Sequence, residues 1–414
     1  MLARWLSLVA LAAVFLGVVG CGGVSVSDVA EATGGELTVY SSLPLQGPLA
    51  GTSEQIVDGE QLALDDADGR AGPFKIAYDS LDDASAASGE WNPGITASNA
   101  KIAAQDTSTI AYLGDFDSGA TAISLPLMNA AGILQISPSS PYVGLTSSFD
   151  AGQDEPNRFY LTGKRTFVRL APGDISQAEA QVKLMRSLGV HSVYVLDDQD
   201  PFEMPLAAIV ANYAERAGIT VLEHDSLSTE AGAVFTGEVE KIVASHAQAV
   251  FLAGSAGSGT AELWRDLYKA SPHLLLLGSS AMAEEPFIAK IGDAGESTYL
   301  TTPVLPTALY PPVAQQVLRH FRGVFGFEGN AYALYGYEAM TVVLDAIRNS
   351  GARGDDRQTV IDRVLATKNR NSVLGRYSVE PSGETTLSHY GVDRVSSSGH
   401  LVFLRAIDVP PPEA

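Results

Sequence analysis

The chain has 414 residues, 46% of them hydrophobic and 18% charged, which excludes a disordered or low-complexity protein and leaves length for two or three compact domains. Its formal net charge is −22, from 48 acidic residues against 26 Lys and Arg. So acidic a balance speaks against nucleic acid, whose phosphates need a basic surface. A single cysteine excludes an intrachain disulfide.

Residues 1–21, MLARWLSLVALAAVFLGVVGC, carry one positive charge at Arg4 and an apolar run from Leu6 to Val19, short for a membrane span of about 20 residues. The run ends in Val18-Val19-Gly20-Cys21, which resembles a bacterial lipobox, cut before the cysteine and acylated on its sulfur. A plain secretory signal or an anchor helix is the alternative. Residues 22–36 are small, polar and Gly-bearing, and are expected to form a flexible tether.

From Leu37 onward, short apolar runs alternate with helical patterns. Strands are expected at 37–41, 74–79, 109–113, 133–136, 192–197, 219–225, 248–253 and 273–278. Most are continuously apolar, as for strands covered on both faces. A helix is expected over 203–217, with Leu206, Ile209, Val210, Tyr213 and Ala217 on one stripe. Gly132, Gly189 and Gly218 each stand between a helix and a strand, where a left-handed residue ends the helix. Repeated helix–Gly–strand junctions predict βαβ units and parallel sheets. The polar, aperiodic stretch 149–166 divides them into two lobes of similar size. Further on, helices are expected with Val313, Val317, Phe321, Val324 and Phe325 on one face, then at 331–349 and 355–367, with strands across 385–407.

Chemistry is sparse. There is no GxxxxGK[ST], HExxH or GxSxG, and the histidines at 191, 224, 246, 273, 320, 389 and 400 lack metal-ligand spacing. The pairs Asp65-Asp66, Asp82-Asp83 and Asp355-Asp356 are of the kind common on solvated helix faces and turns. Two turns stand out. Gly254-Ser255-Ala256-Gly257-Ser258-Gly259 links a strand to a helix, and can hold a phosphate, line a cleft or be an ordinary tight turn. Gly114-Asp115-Phe116-Asp117-Ser118-Gly119 also runs into a helix, where the Ser118 hydroxyl either caps the helix or faces a ligand beside free N–H groups. Both turns, with Ile136-Ser137-Pro138-Ser139-Ser140-Pro141 and Asp198–Phe202, follow expected strands, and ligands of open parallel sheets sit beyond strand carboxyl ends. Hydroxyl-rich turns on two lobes describe a cleft for a small polar molecule.

In order along 37–407, the segments LPLQGPLAGTSEQIVDGEQLALDDAD, YLGDFDSGATAISLPLMNAAGILQISPSSP, LDDQDPF, FLAGSAGSG, LLGSSAM, YLTTP and NAYALYGYEAMTVVLDAI resemble the leucine/isoleucine/valine-binding protein family, the amino-acid receptors of ABC importers. The resemblance implies an α/β fold of two doubly wound parallel-sheet lobes joined by a three-stranded hinge. Lobe 1 would take 37–165 and 303–385, and lobe 2 166–302 and 386–409. It implies a ligand carboxylate held by Ser118, beside Gly119, and by Ser139 or Ser140. Thr52 would touch the ligand's side chain, Phe202 would stand where the family often has tyrosine, and Ser255 would line the second lobe's rim. Two departures are visible. Ser280 stands where amino-acid binders carry an acid for the ammonium, and Asp115 and Asp117 flank the supposed carboxylate site. The implied function is a lipid-anchored, extracytoplasmic monomer that closes on an amino acid, amide or small carboxylate and delivers it to ABC permease subunits. No cofactor, metal, catalytic residue or nucleic acid is expected. A sensing receptor of the same fold is the alternative; a hydrolase lacks a recognisable nucleophile–base pair.

Overall fold

The computed structural model describes residues 35–396 and 398–409. The signal peptide, Cys21 and most of the tether lie outside the described residues. The apolar runs form two sheets. In the first, β1 (Glu36–Leu43), β2 (Arg70–Ala71), β3 (Phe74–Asp82), β4 (Thr109–Gly114), β5 (Leu134–Ser137) and β6 (Phe167–Arg169) lie in the order β2-β3-β1-β4-β5-β6. All neighbours are parallel except the short β2. The continuous apolar pattern has the expected cause, since β4 is buried along its whole length. Helices α1 (Ala50–Asp66), α2 (Pro93–Gln105) and α3 (Ser118–Ala130) follow strands β1, β3 and β4.

The second lobe begins with α4 (Asp174–Ser187), then alternates β7 (Ser192–Asp197), α5 (Met204–Arg216), β8 (Thr220–Ser226), α6 (Thr236–Ala244), β9 (Ala249–Ala253), α7 (Ser258–Ala270), β10 (Leu275–Gly278), α8 (Glu285–Ile291) and β11 (Thr298–Thr302). The chain then returns to the first lobe for α9 (Pro312–Phe325), α10 (Ala331–Ser350), α11 (Arg357–Leu365) and a hairpin of β12 (Arg370–Ser372) and β13 (Gly375–Tyr377). It ends in the second lobe with β14 (His389–Val395) and β15 (Leu401–Asp408), antiparallel additions that give the sheet order β15-β14-β11-β10-β9-β7-β8. Gly132, Gly189 and Gly218 have φ of 65°, 74° and 81°, the left-handed conformation expected where a helix turns into a strand.

Each sheet is packed on both faces. Leu37, Val39 and Leu113 meet Leu334, Met340 and Val343 of α10, while Tyr40 and Tyr112 point the other way, toward Ala100 and Met128. The returning α10 crosses α1 at two glycines. A Cβ on Gly336 would stand 2.0 Å from the Ile56 carbonyl oxygen, and one on Gly59 2.1 Å from that of Ala333. Backbone-to-backbone approach of this kind leaves no room for a side chain.

The structure differs from expectation in three places. The first crossing comes later than residue 165, because Phe167–Arg169 still pair with β5 and the chain leaves the first sheet through 170–173. Helix α9 buries Ala314, Leu318 and Phe321, while Val313 and Val324 are exposed; it lies on the lobe's outside, where a single narrow strip finds a partner. Asp83, taken with Asp82 as a solvated turn, is completely buried.

The three crossings run side by side. The Tyr390 hydroxyl donates to the Pro172 carbonyl at 2.7 Å, and Thr302 pairs with Gly391 at the end of β11. Arg169, fully buried at the end of β6, closes the bundle. Its guanidinium donates to the carbonyl oxygens of Ser140 (2.5 Å) and Tyr142 (3.0 Å) and meets Glu384 at 2.7 Å. Its backbone N–H reaches the Gly383 carbonyl.

Candidate functional site between the lobes

Open parallel sheets present ligands where strand order reverses. In the first sheet that point lies between β1 and β4, and in the second between β7 and β9. The segments leaving their carboxyl ends are 44–49 and 115–117 in one lobe, and 198–203 and 254–257 in the other. These include the turns singled out above, and the lobes meet over them. A Cβ on Gly119 would lie 2.5 Å from Trp91 Cζ2 and 2.9 Å from Phe202 Cε2. Phe202 also meets Tyr142 edge-on, with ring centroids 5.1 Å apart. Phe116 lies 5.7 Å from Tyr332, at the start of α10.

Ser118, Gly119 and Phe202 thus come together. Ser118 Oγ does not cap its helix; it accepts the Tyr142 backbone N–H at 3.2 Å. Ser139, three residues before Tyr142, is half-buried, and its N–H donates to Ser137 Oγ. Ser140 is sealed inside. Its hydroxyl is shared with Thr121 Oγ1 at 2.6 Å and donates to the Asp115 carbonyl at 3.0 Å, so it braces the turn and leaves Ser139 as the accessible member of that pair. In the second lobe, exposed Ser255 donates its N–H to Asp198 Oδ2 at 2.7 Å. Ser279 Oγ bonds the N–H and carbonyl of Gly254, tying that loop to the one that begins with half-buried Ser280. Thr52 lies in the first turn of α1, half-buried, with no hydrogen bond to the others among the described residues.

The two aspartates flanking Ser118 play different parts. Asp115 is fully buried and well held. It accepts from Tyr112 Oη (3.1 Å), Gln135 Nε2 (3.3 Å) and the Ser124 hydroxyl, and it forms the floor of the turn. Asp117 occupies the N-cap position of α3, where an aspartate ordinarily accepts a helix N–H, yet makes no capping bond. Its Oδ2 is buried without a partner. Burial, then the charges of Glu284, Asp115, Glu90 and Asp200, push its carboxyl up to about 7. Burial and the charge of Glu90 raise Glu284 to about 7 as well. Asp83 has neither carboxylate oxygen partnered and is pushed upward by burial and then by Asp115 and Asp117. Sequence reasoning missed Asp83, Trp91, Glu284 and Tyr332. The signal available was position, since each falls just beyond a strand or at a helix start on the same rim.

Among the described residues, no group of three or more His, Cys, Asp or Glu is arranged to hold a metal ion, and no helix is long and apolar enough to cross a membrane. A hollow of about 400 Å³ between Leu188, Gln248 and His273 lies at the opposite, amino-terminal ends of the second sheet and contains none of these residues.

Two lobes of parallel sheet facing each other across their switch points define a type I periplasmic-binding fold. The family model for periplasmic binding proteins matches residues 39–399, and the chain belongs to that family. It is similar to Leu/Ile/Val-binding protein homolog 3 of Brucella melitensis, 22% identical over 367 residues, covering 88% of this chain and 92% of that one. Among solved structures it resembles the leucine-binding protein LivK of Thermotoga maritima, with a TM-score of 0.74 and 20% identity, over 90% of this chain and 99% of the other. It also resembles a solute-binding protein of an ABC transporter from R. palustris in complex with benzoate, with a TM-score of 0.69 and 16% identity, over 91% and 97%.

Proposed function

We propose that this protein is a lipid-anchored extracytoplasmic receptor that closes its two lobes on a small polar solute of about amino-acid size and delivers it to an ABC importer. The observation that carries this reading is the meeting of the lobes over Gly119, where rings from both sides close on a residue without a side chain. Hinge closure of this kind needs a ligand with differential affinity for the closed form, which bridging contacts supply. On this reading Ser118, Gly119, Ser139, Phe202, Ser255 and Ser280 line the cleft, Thr52 stands at its edge, and lobe 1 comprises the first sheet with α9–α11. The relatives' printed names, of branched-chain amino-acid binders and of a benzoate complex, support a small-solute receptor and leave the solute's chemistry open.

Gly119→Val tests the closure. Valine places methyl groups where Trp91 and Phe202 stand, so the lobes are held apart. X-ray scattering of the wild-type protein is expected to show compaction on adding a solute that raises its melting point, whereas the variant stays expanded and loses at least tenfold in affinity. Equal compaction of the variant would count against the cleft. The anchor has its own test. Cys21→Ser moves the protein from the membrane to the soluble fraction of the producing bacterium, and an unchanged distribution argues against acylation.

A further inference from the structure

The rim between the lobes carries carboxylates from both sides: Asp83, Glu90 and Asp117 from the first, Asp200, Glu203 and Glu284 from the second. Among the described residues none of the six takes part in an ion pair. The charges that act on Asp83, Asp117, Glu203 and Glu284 are those of other carboxylates. Several of their oxygens are shut away from solvent with no donor: both of Asp83, Oδ2 of Asp117 and Oε2 of Glu203. Asp83 is 0% exposed. A buried carboxylate without a donor or counter-ion is costly. Asp117 has also forgone the helix cap that its position offers.

Aromatic rings surround the same acid. Phe116 precedes Asp117 and meets Tyr332; two residues on, Gly119 is flanked by Trp91 and Phe202. Tyr332 in turn feels the charge of Glu284, after burial and the charge of Tyr310. Ring faces carry negative potential and attract cations, most strongly where water is excluded. Ser118, which the family resemblance casts as a carboxylate contact, accepts a backbone N–H and has its own O–H proton left to donate.

We infer that the solute is a small organic cation, an ammonium, quaternary ammonium or guanidinium compound, held with its charge among Asp117, Glu284 and Asp83 and its body against the rings of Trp91, Phe202 and Tyr332. Once these acids ionise, a carboxylate ligand meets like charge, and among the described residues no lysine or arginine is ion-paired with them. Compact metal ions are disfavoured by the absence, among the described residues, of a convergent ligand set; a spread organic charge suits acids distributed over two lobes. The chain's formal charge of −22 steers cations toward the protein. This inference rests on the receptor function proposed above.

Because Asp117 and Glu284 hold protons near neutral pH in the absence of ligand, a cation that binds them displaces protons. Its affinity therefore rises with pH. The test is titration calorimetry of the full-length protein with choline, 1,4-diaminobutane and agmatine, against leucine and benzoate, at pH 6 and pH 8. At least one cation is expected to bind tenfold or more tightly than leucine and benzoate, more tightly at pH 8, with proton release seen as a buffer-dependent heat. Asp117→Asn and, separately, Glu284→Gln are expected to weaken the cation tenfold or more; neither leaves a charge buried, so both should fold. Tighter binding of leucine or benzoate, full cation affinity in both variants, or no binding by any of the three cations would overturn the inference. The two readings fail separately. Leucine or benzoate binding with compaction in solution removes the cation and leaves the receptor, whereas tight cation binding without compaction removes lobe closure and leaves the cation site.

Discussion

Replacing Arg169 with methionine is expected to lower the unfolding free energy by about 3–5 kcal/mol, the cost of removing one partner from a buried ion pair. The side chain sits where the chain leaves the first lobe. It is fully buried, bonded to the Ser140 and Tyr142 carbonyls and to Thr146 Oγ1 (2.5 Å), and paired with Glu384, whose exposure is 8%. Asp174, at the start of α4, also feels its charge. Methionine fills much of the volume but leaves Glu384 without a counter-ion and takes from the Ser140 carbonyl its guanidinium donor; the Tyr142 carbonyl keeps the Leu145 N–H. The double variant Arg169→Met, Glu384→Gln should recover a large part of the loss, because the stranded charge is gone. Urea denaturation of the single variants Arg169→Met and Glu384→Gln and of the double variant, against wild type, checks this. A loss below about 1 kcal/mol in the single variant would mean that the crossing is held by its backbone pairing alone.

The second large effect is a fall in thermal stability between pH 5 and pH 8. Besides Asp117 and Glu284, burial raises Asp174 and Glu60 to about 8; burial and then neighbouring carboxylate charge raise Asp83, and burial raises Asp115 against its hydrogen bonds. A carboxyl whose folded pKa lies above its unfolded value, about 4, binds its proton more tightly in the folded state. Its contribution is complete below the unfolded value and disappears as pH climbs through the folded one. The relevant window therefore begins near pH 4 and extends to about 8. With several such groups acting together, the ligand-free melting temperature should drop by at least about 5 °C from pH 5 to pH 8. Scanning calorimetry in a pH series checks it. A melting point that is flat or rises over this range would show that these carboxyls are ionised in the folded protein.

Much of the fold was legible in the sequence because burial on two faces writes continuous apolar runs. Ser192–Asp197 and Thr109–Gly114 are strands within a residue of where the runs place them, and the glycines at 132, 189 and 218 take up left-handed φ for the reason their junctions implied. What escaped was short or long-range. Phe167–Arg169 is three residues long and ends in a charge, so it looks like a loop, and its Arg169 acquires meaning through Glu384, more than two hundred residues later. The rim was half legible. Ser118, Gly119 and Phe202 fall where strand ends predict a cleft. Ser140 and Asp83 did not behave as their neighbours in sequence suggest, because local pattern distinguishes a polar turn from an apolar one but not a solvated carboxylate from a sealed one. Trp91 and Tyr332 belong to segments that local pattern does not connect, and they join the site through tertiary packing alone.

The close crossing of α10 over α1 bears on how the protein is made. One face of the first sheet is covered by Leu334, Met340 and Val343, which lie almost three hundred residues downstream of the strand they shield. At translation rates of about 5–20 residues per second, that face waits roughly 15–60 s for its cover. The amino-terminal half is thus obliged to emerge as an incomplete, sticky layer. During that interval β1, β3 and β4 expose an apolar face open to pairing with other nascent chains.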